Sequence, residues 1–479
     1  MTTAVRKPAP ASAPAPPSAD QDDEISPRTW RLAWVIALGA FTAGLDTSLM
    51  NIALDTIQQR FHADLELTQW VASGYLLALA VALPACAWLG RRVGPGRLWL
   101  AAVAAFTLAS VLCALAPTIE ALIALRALQG LAAGVLIPTG QTVLGQAVGP
   151  GRLGRVMARL GIAVVLAPAL GPTLGGLMLH SLSWHWLFLL NVPLGAAALV
   201  LGRRHLPMDR GRASAAAPLD WVGYALIGLA LPLLVYGFTS WGRTGSPEPV
   251  QVLLPLAVGA AGLAAFVRRS LRREQPLVDM RTFRHRGFAA AGVGLLANGA
   301  LGFGSALLFP LYFQLLHSDG VVASGLQLLP LGLGTAVTLP FGGRLTDRYG
   351  GGPVAVLGAV LGAVATGLFA ATAPGLPAVE VLLFVLGMGG GLVSTPLTVA
   401  AFGAVGRDRL PDATVQVSIM VRLGGALGAA LFSALLSHGL AAGADQAFRT
   451  ALWWQFATAV AATGGALLLW RHSRHEQRR

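Results

Sequence analysis

Apolar positions in this chain fall into long, almost uncharged runs. A helix needs about 20 predominantly apolar residues to cross the hydrocarbon core of a bilayer. Gly and Pro recur inside the runs, as membrane helices tolerate. The pattern predicts an all-α membrane protein with fourteen transmembrane helices at residues 31–54, 67–89, 98–116, 120–147, 154–179, 184–202, 219–240, 250–267, 288–316, 322–343, 353–372, 377–404, 412–437 and 450–470.

Positive charge marks one side of the predicted membrane. Of the 34 Lys and Arg residues, 29 fall in tails and loops on one side, and only Arg60, Arg243 and Arg449 fall on the other. The remaining two, Arg126 and Arg422, lie inside spans. Because cytoplasmic loops carry the excess of Lys and Arg, the bias predicts a multi-pass protein of the bacterial inner membrane with both termini in the cytoplasm.

Composition agrees with this topology and narrows the function. The chain of 479 residues is 55% hydrophobic and 11% charged, where a soluble domain carries about 25% charged residues. The formal charge of +13 is explained by the Lys and Arg residues on the predicted cytoplasmic side, which are attracted to anionic lipid headgroups. No nucleic-acid partner is therefore expected. Cys86 and Cys113 lie in apolar runs and the His residues show no ligand spacing, so neither a disulfide framework nor a metal site is predicted.

The spans group into two blocks of six with two extra helices between them. Two similar six-helix bundles are the design of a transporter that rocks around a site between its halves. A weak repeat supports the division, since the loop after the second helix of each block is similar: residues 87–94 and residues 343–350. The predicted organisation is a disordered cytoplasmic tail (1–29), an N-terminal bundle (30–202), a basic linker (203–218), two additional helices (219–268), a second basic linker (269–287), a C-terminal bundle (288–471) and a cytoplasmic tail (472–479).

Asp46 is the acidic residue that lies deep in a predicted span. A charge at the bilayer centre costs about 2.5–3.5 kcal/mol on insertion scales, so it needs a partner or a function. Low dielectric disfavours the charged form of a carboxyl, which makes proton exchange possible near neutral pH. Arg126 is the expected partner, and Gln129 lies on the same face of its helix. Asp46 is thus either a proton-coupling carboxylate or a permanently paired structural residue.

Three further groups of residues are candidates for gating or binding. The fifth span carries the run Pro168 to Gly176, in which Pro168, Gly171, Pro172, Gly175 and Gly176 favour a bent helix with a small-residue face. Arg422 serves either function or helix packing. The amide and aromatic residues in spans either line a substrate cavity or join helices. They are Asn51, Trp70, Tyr75, Gln129, Gln141, Asn298, Phe303, Gln314, Gln327 and Gln416.

Five segments together resemble the fourteen-helix drug:proton antiporter branch of the major facilitator superfamily. They are residues 45–54 in the first span, 125–130 in the fourth, 171–176 in the fifth, 184–195 in the sixth and 343–350 after the second span of the C-terminal block. The resemblance implies proton-driven export of lipophilic compounds. It also implies that Asp46 exchanges protons, that Arg126 couples to it, and that Asp347 and Arg348 belong to a gating loop.

The N-terminal gating loop departs from the family pattern. Arg91, followed by Arg92, stands where the family usually has Asp, and Ala87 stands where it has Gly. His185 in the sixth span replaces a usual Arg. The charge latch that the missing Asp would supply is therefore expected to be weakened or rebuilt.

The sequence favours a drug:proton antiporter that works by alternating access, with no cofactor beyond the proton gradient. An importer or facilitator of a small metabolite on the same fold is the alternative. A membrane enzyme is disfavoured because no nucleophile, metal cage or group of convergent titratable residues is evident. The expected partners are the lipid bilayer, protons and a small amphiphile, with a lean to neutral or zwitterionic compounds. The protein is expected to be a monomer, and a periplasmic adaptor is left open.

Overall fold

The N-terminal half is a bundle of helices that starts from a well-capped first helix. The computed structural model describes residues 25–148, 152–208, 218–244, 248–317, 321–372, 375–440 and 443–477. Ser26 caps the first helix by accepting a hydrogen bond from the Thr29 N–H at 3.2 Å, and Pro27 occupies its first turn. The helices of this half are α1 (Pro27–Phe61), α2 (Leu65–Ala82), α3 (Ala85–Val93), α4 (Pro95–Ala114), α5 (Ile119–Ala147), α6 (Leu153–Ser181), α7 (His185–Leu189) and α8 (Asn191–His205).

Two extra helices follow the N-terminal half and pack as a hairpin. They are α9 (Trp221–Thr244) and α10 (Leu254–Arg272), and a short π-helical turn at Pro249–Leu253 precedes α10. Asp220, just before α9, accepts hydrogen bonds from Arg269 at 2.9–3.1 Å and so fastens the two helices at one end. The hairpin lies beside both halves, because Gly228 of α9 faces Val81 of α2 and Gly242 faces the helix that carries Ala430.

The C-terminal half repeats the arrangement of the first. A segment with a 3-10 turn at Met280–Arg284 leads into it, and a second 3-10 turn lies at Arg407–Arg409. The helices of this half are α11 (Arg286–Leu316), α12 (Val321–Gln327), α13 (Leu329–Tyr349), α14 (Gly351–Thr372), α15 (Leu376–Gly403), α16 (Leu410–Gly439) and α17 (Ala444–Gln477).

Three predicted spans are broken into two helices each, and proline lies at or near each break. The clearest is the second span, where α2 and α3 meet at Pro84 with a bend of 57°. Proline lacks the N–H that a helix interior needs, so the ladder of hydrogen bonds is interrupted there. The sixth span divides near Pro193 into α7 and α8, and the tenth divides near Pro330 into α12 and α13.

The predicted spans all coincide with helices, and the prediction of an all-helical membrane protein is confirmed. Within the described residues, eleven helices are long and apolar enough to cross a membrane, or twelve with the bent pair α2–α3. The helices α6 and α17 would complete the predicted fourteen, but each contains residues outside the described part of the structure, so the number fourteen stays a prediction. The helix α1 begins at Pro27 and α17 ends at Gln477, so both helices extend into the predicted tails. The rest of the N-terminal tail, residues 1–24, and much of the first linker, residues 209–217, lie outside the described ranges.

Glycine allows the closest helix contacts in both halves. A Cβ on Gly134 of α5 would lie 2.5 Å from the carbonyl oxygen of Leu79 on α2, and Gly130 faces the Tyr75 carbonyl one turn away. In the C-terminal half, Gly424 of α16 meets the backbone of α11 in the same way. These contacts leave no room for a side chain, so they fix the helices that carry the polar residues described next.

Candidate functional site

Asp46 lies inside the N-terminal half and accepts hydrogen bonds from three side chains. Arg126 Nη1 donates to Oδ2 at 2.6 Å, while Gln129 Nε2 and Asn191 Nδ2 donate to Oδ1 at 3.0 and 2.7 Å. Asp46 is 2% exposed and both amide residues are fully buried. The carboxylate therefore lies neither in bulk solvent nor at the outer surface, and it holds three helices, α1, α5 and α8, together.

Arg126 is held from several directions. Its Nη1 also donates to Gln129 Oε1 at 2.7 Å, and its Nε donates to the Val71 carbonyl of α2 at 3.3 Å. The guanidinium carbon lies 4.2 Å from the ring centre of Tyr75 and 5.8 Å from that of Phe188. Such cation–π contacts favour the positive charge in a dry site. Arg126 and Asp46 therefore form the predicted ion pair, and their part in proton coupling stays a prediction. The cluster of these polar residues is called the Asp46 network below.

Two members of the Asp46 network were not predicted as site residues. Ser110 of α4 accepts from Gln129 Nε2 at 2.7 Å, and Asn191 approaches the same hydroxyl at 3.3 Å. A serine in an apolar helix usually bonds its own backbone, and Ser110 does so as well, with the Phe106 carbonyl at 2.9 Å. Asn191 stood in the sixth-span segment of the resemblance, and that position was the signal that could have identified it.

The residues predicted to line a cavity occupy several environments. Tyr75 and Gln129 belong to the Asp46 network, and Gln416 is buried with Thr282 Oγ1 at 2.6 Å. Trp70 and Phe303 are 45% and 53% exposed. Half-buried positions are occupied by Gln141, Asn298, Gln314, Gln327 and Arg422. The side chains of Asn51, Pro168 and Pro172 lie outside the described part of the structure, although their backbones are helical.

A cavity of about 250 Å³ opens inside the C-terminal half. Its lining comes mainly from α11, α14, α15 and α17, which correspond in order to the helices α1, α4, α5 and α8 of the Asp46 network. Asn298 and Ser305 of α11 supply polar groups, and small residues such as Gly302 and Gly362 form much of the remaining wall. The same place in the fold is thus filled by polar side chains in one half and left open in the other.

Hydrogen bonds join the two halves at the end of the bundle that carries Arg91, Arg155 and Arg348, called here the arginine-rich end. Asp347, at the end of α13, accepts from the backbone N–H groups of Gly154 and Arg155 at 2.7 and 3.1 Å and from Arg155 Nε at 2.9 Å. Asp347 therefore caps the N-terminus of α6 from the opposite half. A carboxylate is favoured there by the free N–H groups and by the helix dipole.

The second contact at the arginine-rich end has an arginine at the end of α3, where the first has an aspartate at the end of α13. Arg91 of α3 donates through Nη1 to both carboxylate oxygens of Asp412 at 3.0 Å, and Asp412 lies in the first turn of α16. An arginine cannot accept hydrogen bonds from the N–H groups at a helix N-terminus. It can instead form an ion pair with Asp412, which lies in the first turn of α16. Thr142 of α5 and Thr414 of α16 meet nearby at 2.9 Å. Of the two expectations, a weakened or a rebuilt latch, the pair Arg91–Asp412 corresponds to the second, and its role in gating stays a prediction.

The segment between α10 and α11 is part of this contact. Arg91 Nη2 donates to the Leu277 carbonyl at 3.0 Å, and the Asp279 N–H donates to Asp412 Oδ1 at 3.0 Å. Gln416 holds the Asp279 carbonyl at 2.8 Å, and Ser270 of α10 donates to the Val278 carbonyl at 2.7 Å. The predicted second linker is therefore clamped between the two halves and tied to the extra helix α10.

The glycines of the fifth span differ in what they face. A Cβ on Gly171 would collide with the side chain of Ser48 on α1, and one on Gly175 would lie 3.2 Å from Leu49. Gly176 has no atom within 4 Å of that position. The glycine run of α6 is therefore in close contact with α1 at Gly171, which faces Ser48, the second residue after Asp46.

We expect Gly171→Ala to impair the protein and Gly176→Ala to leave it intact. Overpacking a tight contact costs typically about 1–3 kcal/mol, and at Gly171 it would also push α1 away from α6. Thermal unfolding of the two purified variants, with transport assayed in parallel, checks this. Equal loss in both variants would show that the contact with Ser48 is not the cause.

Comparisons with known proteins agree with the helical membrane fold. The profile of the Major Facilitator Superfamily matches residues 36–429 and 296–479. The chain is 36% identical over 423 residues to the Multidrug resistance protein B homolog of Mycobacterium tuberculosis, covering 87% of this chain and 78% of that protein. It is 33% identical over 382 residues to the Methylenomycin A resistance protein of Streptomyces coelicolor, covering 78% of each.

A solved structure agrees with the fold. The human organic anion transporter MFSD10 superposes with a TM-score of 0.66 at 15% identity, covering 92% of this chain and 100% of that one. At this identity the likeness concerns the fold alone. The profile match extends over most of the chain and fits its two similar helical halves, so this chain belongs to the major facilitator superfamily, whose members are membrane transporters rather than enzymes.

Proposed function

We propose that the protein exports lipophilic or amphiphilic compounds in exchange for protons by alternating access. The observation that carries the proposal is the Asp46 network, which places one carboxylate against a guanidinium and two amides in a dry helical core. The names of the relatives, a multidrug resistance protein and an antibiotic resistance protein, support export of such compounds.

A proton at Asp46 changes what the network can hold. The ionised carboxylate only accepts hydrogen bonds, and each of its oxygens receives at least one donor here. A protonated carboxyl must donate from one oxygen, so at least one of these contacts has to break. Arg126 would then lose its counter-ion in a buried place, which is costly. Proton uptake therefore drives α1 and α5 to rearrange, and proton release restores the present contacts.

In the proposed cycle, the contacts between the two halves correspond to a state that is closed at the arginine-rich end. Asp347 accepts a hydrogen bond from the start of α6, and Arg91 donates to Asp412. Both contacts join the two halves at the arginine-rich end. Arg126 lies about 10 Å from the start of α5 at the opposite end. In the proposed cycle, the arginine-rich end faces the cytoplasm of a bacterial cell, both termini lie there, and Asp46 receives its proton from the outside while this end is closed.

The cavity of the C-terminal half suits the apolar part of a substrate. Its walls are mainly glycine, alanine and leucine, and the amide of Asn298 and the hydroxyls of Ser305, Thr335 and Thr366 are the polar groups. Sites of this kind take lipophilic molecules and orient them with few polar contacts.

Proteoliposomes with an imposed pH gradient test the proposal. We expect a lipophilic dye to move against its own gradient when protons flow the other way, and the internal pH to change with it. A protonophore should abolish both, and protein-free vesicles should show neither. Dye movement that ignores the pH gradient would contradict proton coupling. Proton-coupled uptake of a small metabolite without dye movement would favour the importer.

A further inference from the structure

Arg422 lies in the middle of α16, a helix that contacts α5 of the N-terminal half near its start. Thr414, eight residues earlier, meets Thr142 of α5 at 2.9 Å. Arg422 lies about 12 Å further along the axis than Thr414 and about 80° around it, on the adjoining side of the helix. Tyr75 of α2, in the N-terminal half, is within electrostatic reach of Arg422. Arg422 therefore lies beside the region where the two halves face each other.

Among the described residues, none serves as a counter-ion for Arg422. Within the described ranges, no hydrogen bond or ion pair involves it, and its side chain is half-buried. The carboxylate of Asp46 is bound by Arg126 at 2.6 Å. Asp412 lies ten residues back on the same helix, about 15 Å away, and is bound by Arg91.

The charges in the interior of the described spans sum to a positive value. Away from the span ends they are Asp46, Arg126 and Arg422, which give a net charge of +1 when the aspartate is ionised. An arginine stays protonated in proteins, so this charge cannot be discharged by losing a proton. An unpaired cation in a membrane interior is costly, and an anion from outside the chain would relieve that cost.

We propose that Arg422 binds the acidic group of the substrate, so that the exported compounds are amphiphilic organic anions such as carboxylates or sulfonates. This inference rests on the proposed function and names its substrate class. A planar guanidinium holds a carboxylate through two parallel hydrogen bonds, which fixes orientation as well as charge. The site disfavours permanent cations, which would meet uncompensated positive charge, and it replaces the sequence-based lean toward neutral or zwitterionic compounds.

Three probes with one fluorophore test the assignment by equilibrium binding to the purified protein in non-ionic detergent. Dansyl-leucine is anionic, its amide is neutral and dansylcadaverine is cationic. We expect wild-type protein to bind the anion about 10–100-fold more tightly than the amide, the range of a hydrogen-bonded charge. Arg422→Gln should remove that preference and leave binding of the amide within about twofold, while Arg422→Lys should keep part of it. Arg449→Gln is the matched control, because it removes an exposed arginine from the same half.

The outcomes separate this inference from the proposed function. Equal binding of the anion and the amide by wild type, or equal loss of all three probes in Arg422→Gln, would overturn the anion site. The assay contains no pH gradient. An anion preference that depends on Arg422, together with transport that ignores the gradient, would therefore refute proton exchange and leave the site standing.

Discussion

Asp46→Asn will reduce proton-driven efflux to the level of protein-free vesicles. The asparagine can keep hydrogen bonds to Gln129 and Asn191, but it cannot take up or release a proton. Arg126, at 2.6 Å from the carboxylate in the wild type, would keep its charge without a counter-ion. Dye efflux under an imposed pH gradient measures the loss, and exchange of dye without a gradient shows whether the halves still move.

Folding must be separated from coupling in this experiment. Leaving one partner of a buried ion pair uncompensated costs about 3–5 kcal/mol, so Asp46→Asn should also lower the unfolding temperature. The double variant Asp46→Asn/Arg126→Gln removes the stranded charge and should recover much of that stability without recovering coupling. Asp55→Asn on the exposed side of the same helix is the matched control. Normal gradient-driven efflux by Asp46→Asn would refute the assignment.

Arg91→Asp will impair transport although it introduces the residue that the family usually has at this position. Two carboxylates would face each other where Arg91 now meets Asp412 at 3.0 Å. The Arg91 side chain is 33% exposed, so the loss is smaller than for a fully buried pair, about 2 kcal/mol or a population change of about 30-fold against the closed arginine-rich end. The exchanged pair Arg91→Asp/Asp412→Arg should recover most of the closed state, although the Asp279 N–H would lose its acceptor.

The neighbouring Arg92 supplies the control for the latch. Arg92 is exposed and stacks on Trp88 at 5.2 Å, so Arg92→Asp makes the same charge change outside the latch. Spin labels at Val93 and Asp408 would report the distance between the halves at this end. Opening of the arginine-rich end by Arg92→Asp as large as by Arg91→Asp would show that total charge, not the contact with Asp412, holds the end closed.

The central ion pair could be predicted from the sequence because its members are rare. One acidic residue and two arginines deep in apolar spans leave few possible partners, and the fourth-span position of Arg126 made it the better candidate for Asp46. Ser110 and Asn191 could not be assigned in the same way. A single small polar residue in an apolar helix can bond to its own backbone, to a neighbouring helix or to a ligand, and only packing decides among these.

The latch was beyond prediction because its partners are distant in sequence. Arg91 and Asp412 are 321 residues apart, and Asp412 read simply as an acid at the start of a span. Gln416 was expected to line a cavity, but the buried position beside Thr282 and the Asp279 carbonyl ties it to the linker. No pattern along the chain predicts that the loop between α10 and α11 lies in the contact between α3 and α16.

The fastening of that linker has a mechanical consequence for the two extra helices. Only 22% of the apolar stretch at Pro249–Arg272 is buried against the described chain, so we expect lipid to cover most of it. Ser270 near its end holds the linker, and the linker holds Asp412 through the Asp279 N–H. We expect these bonds to transmit force on α10, from bilayer thickness or lateral pressure, to the contact between Arg91 and Asp412. We therefore expect turnover to depend on acyl-chain length even where substrate affinity does not, so that the surrounding membrane itself tunes the rate.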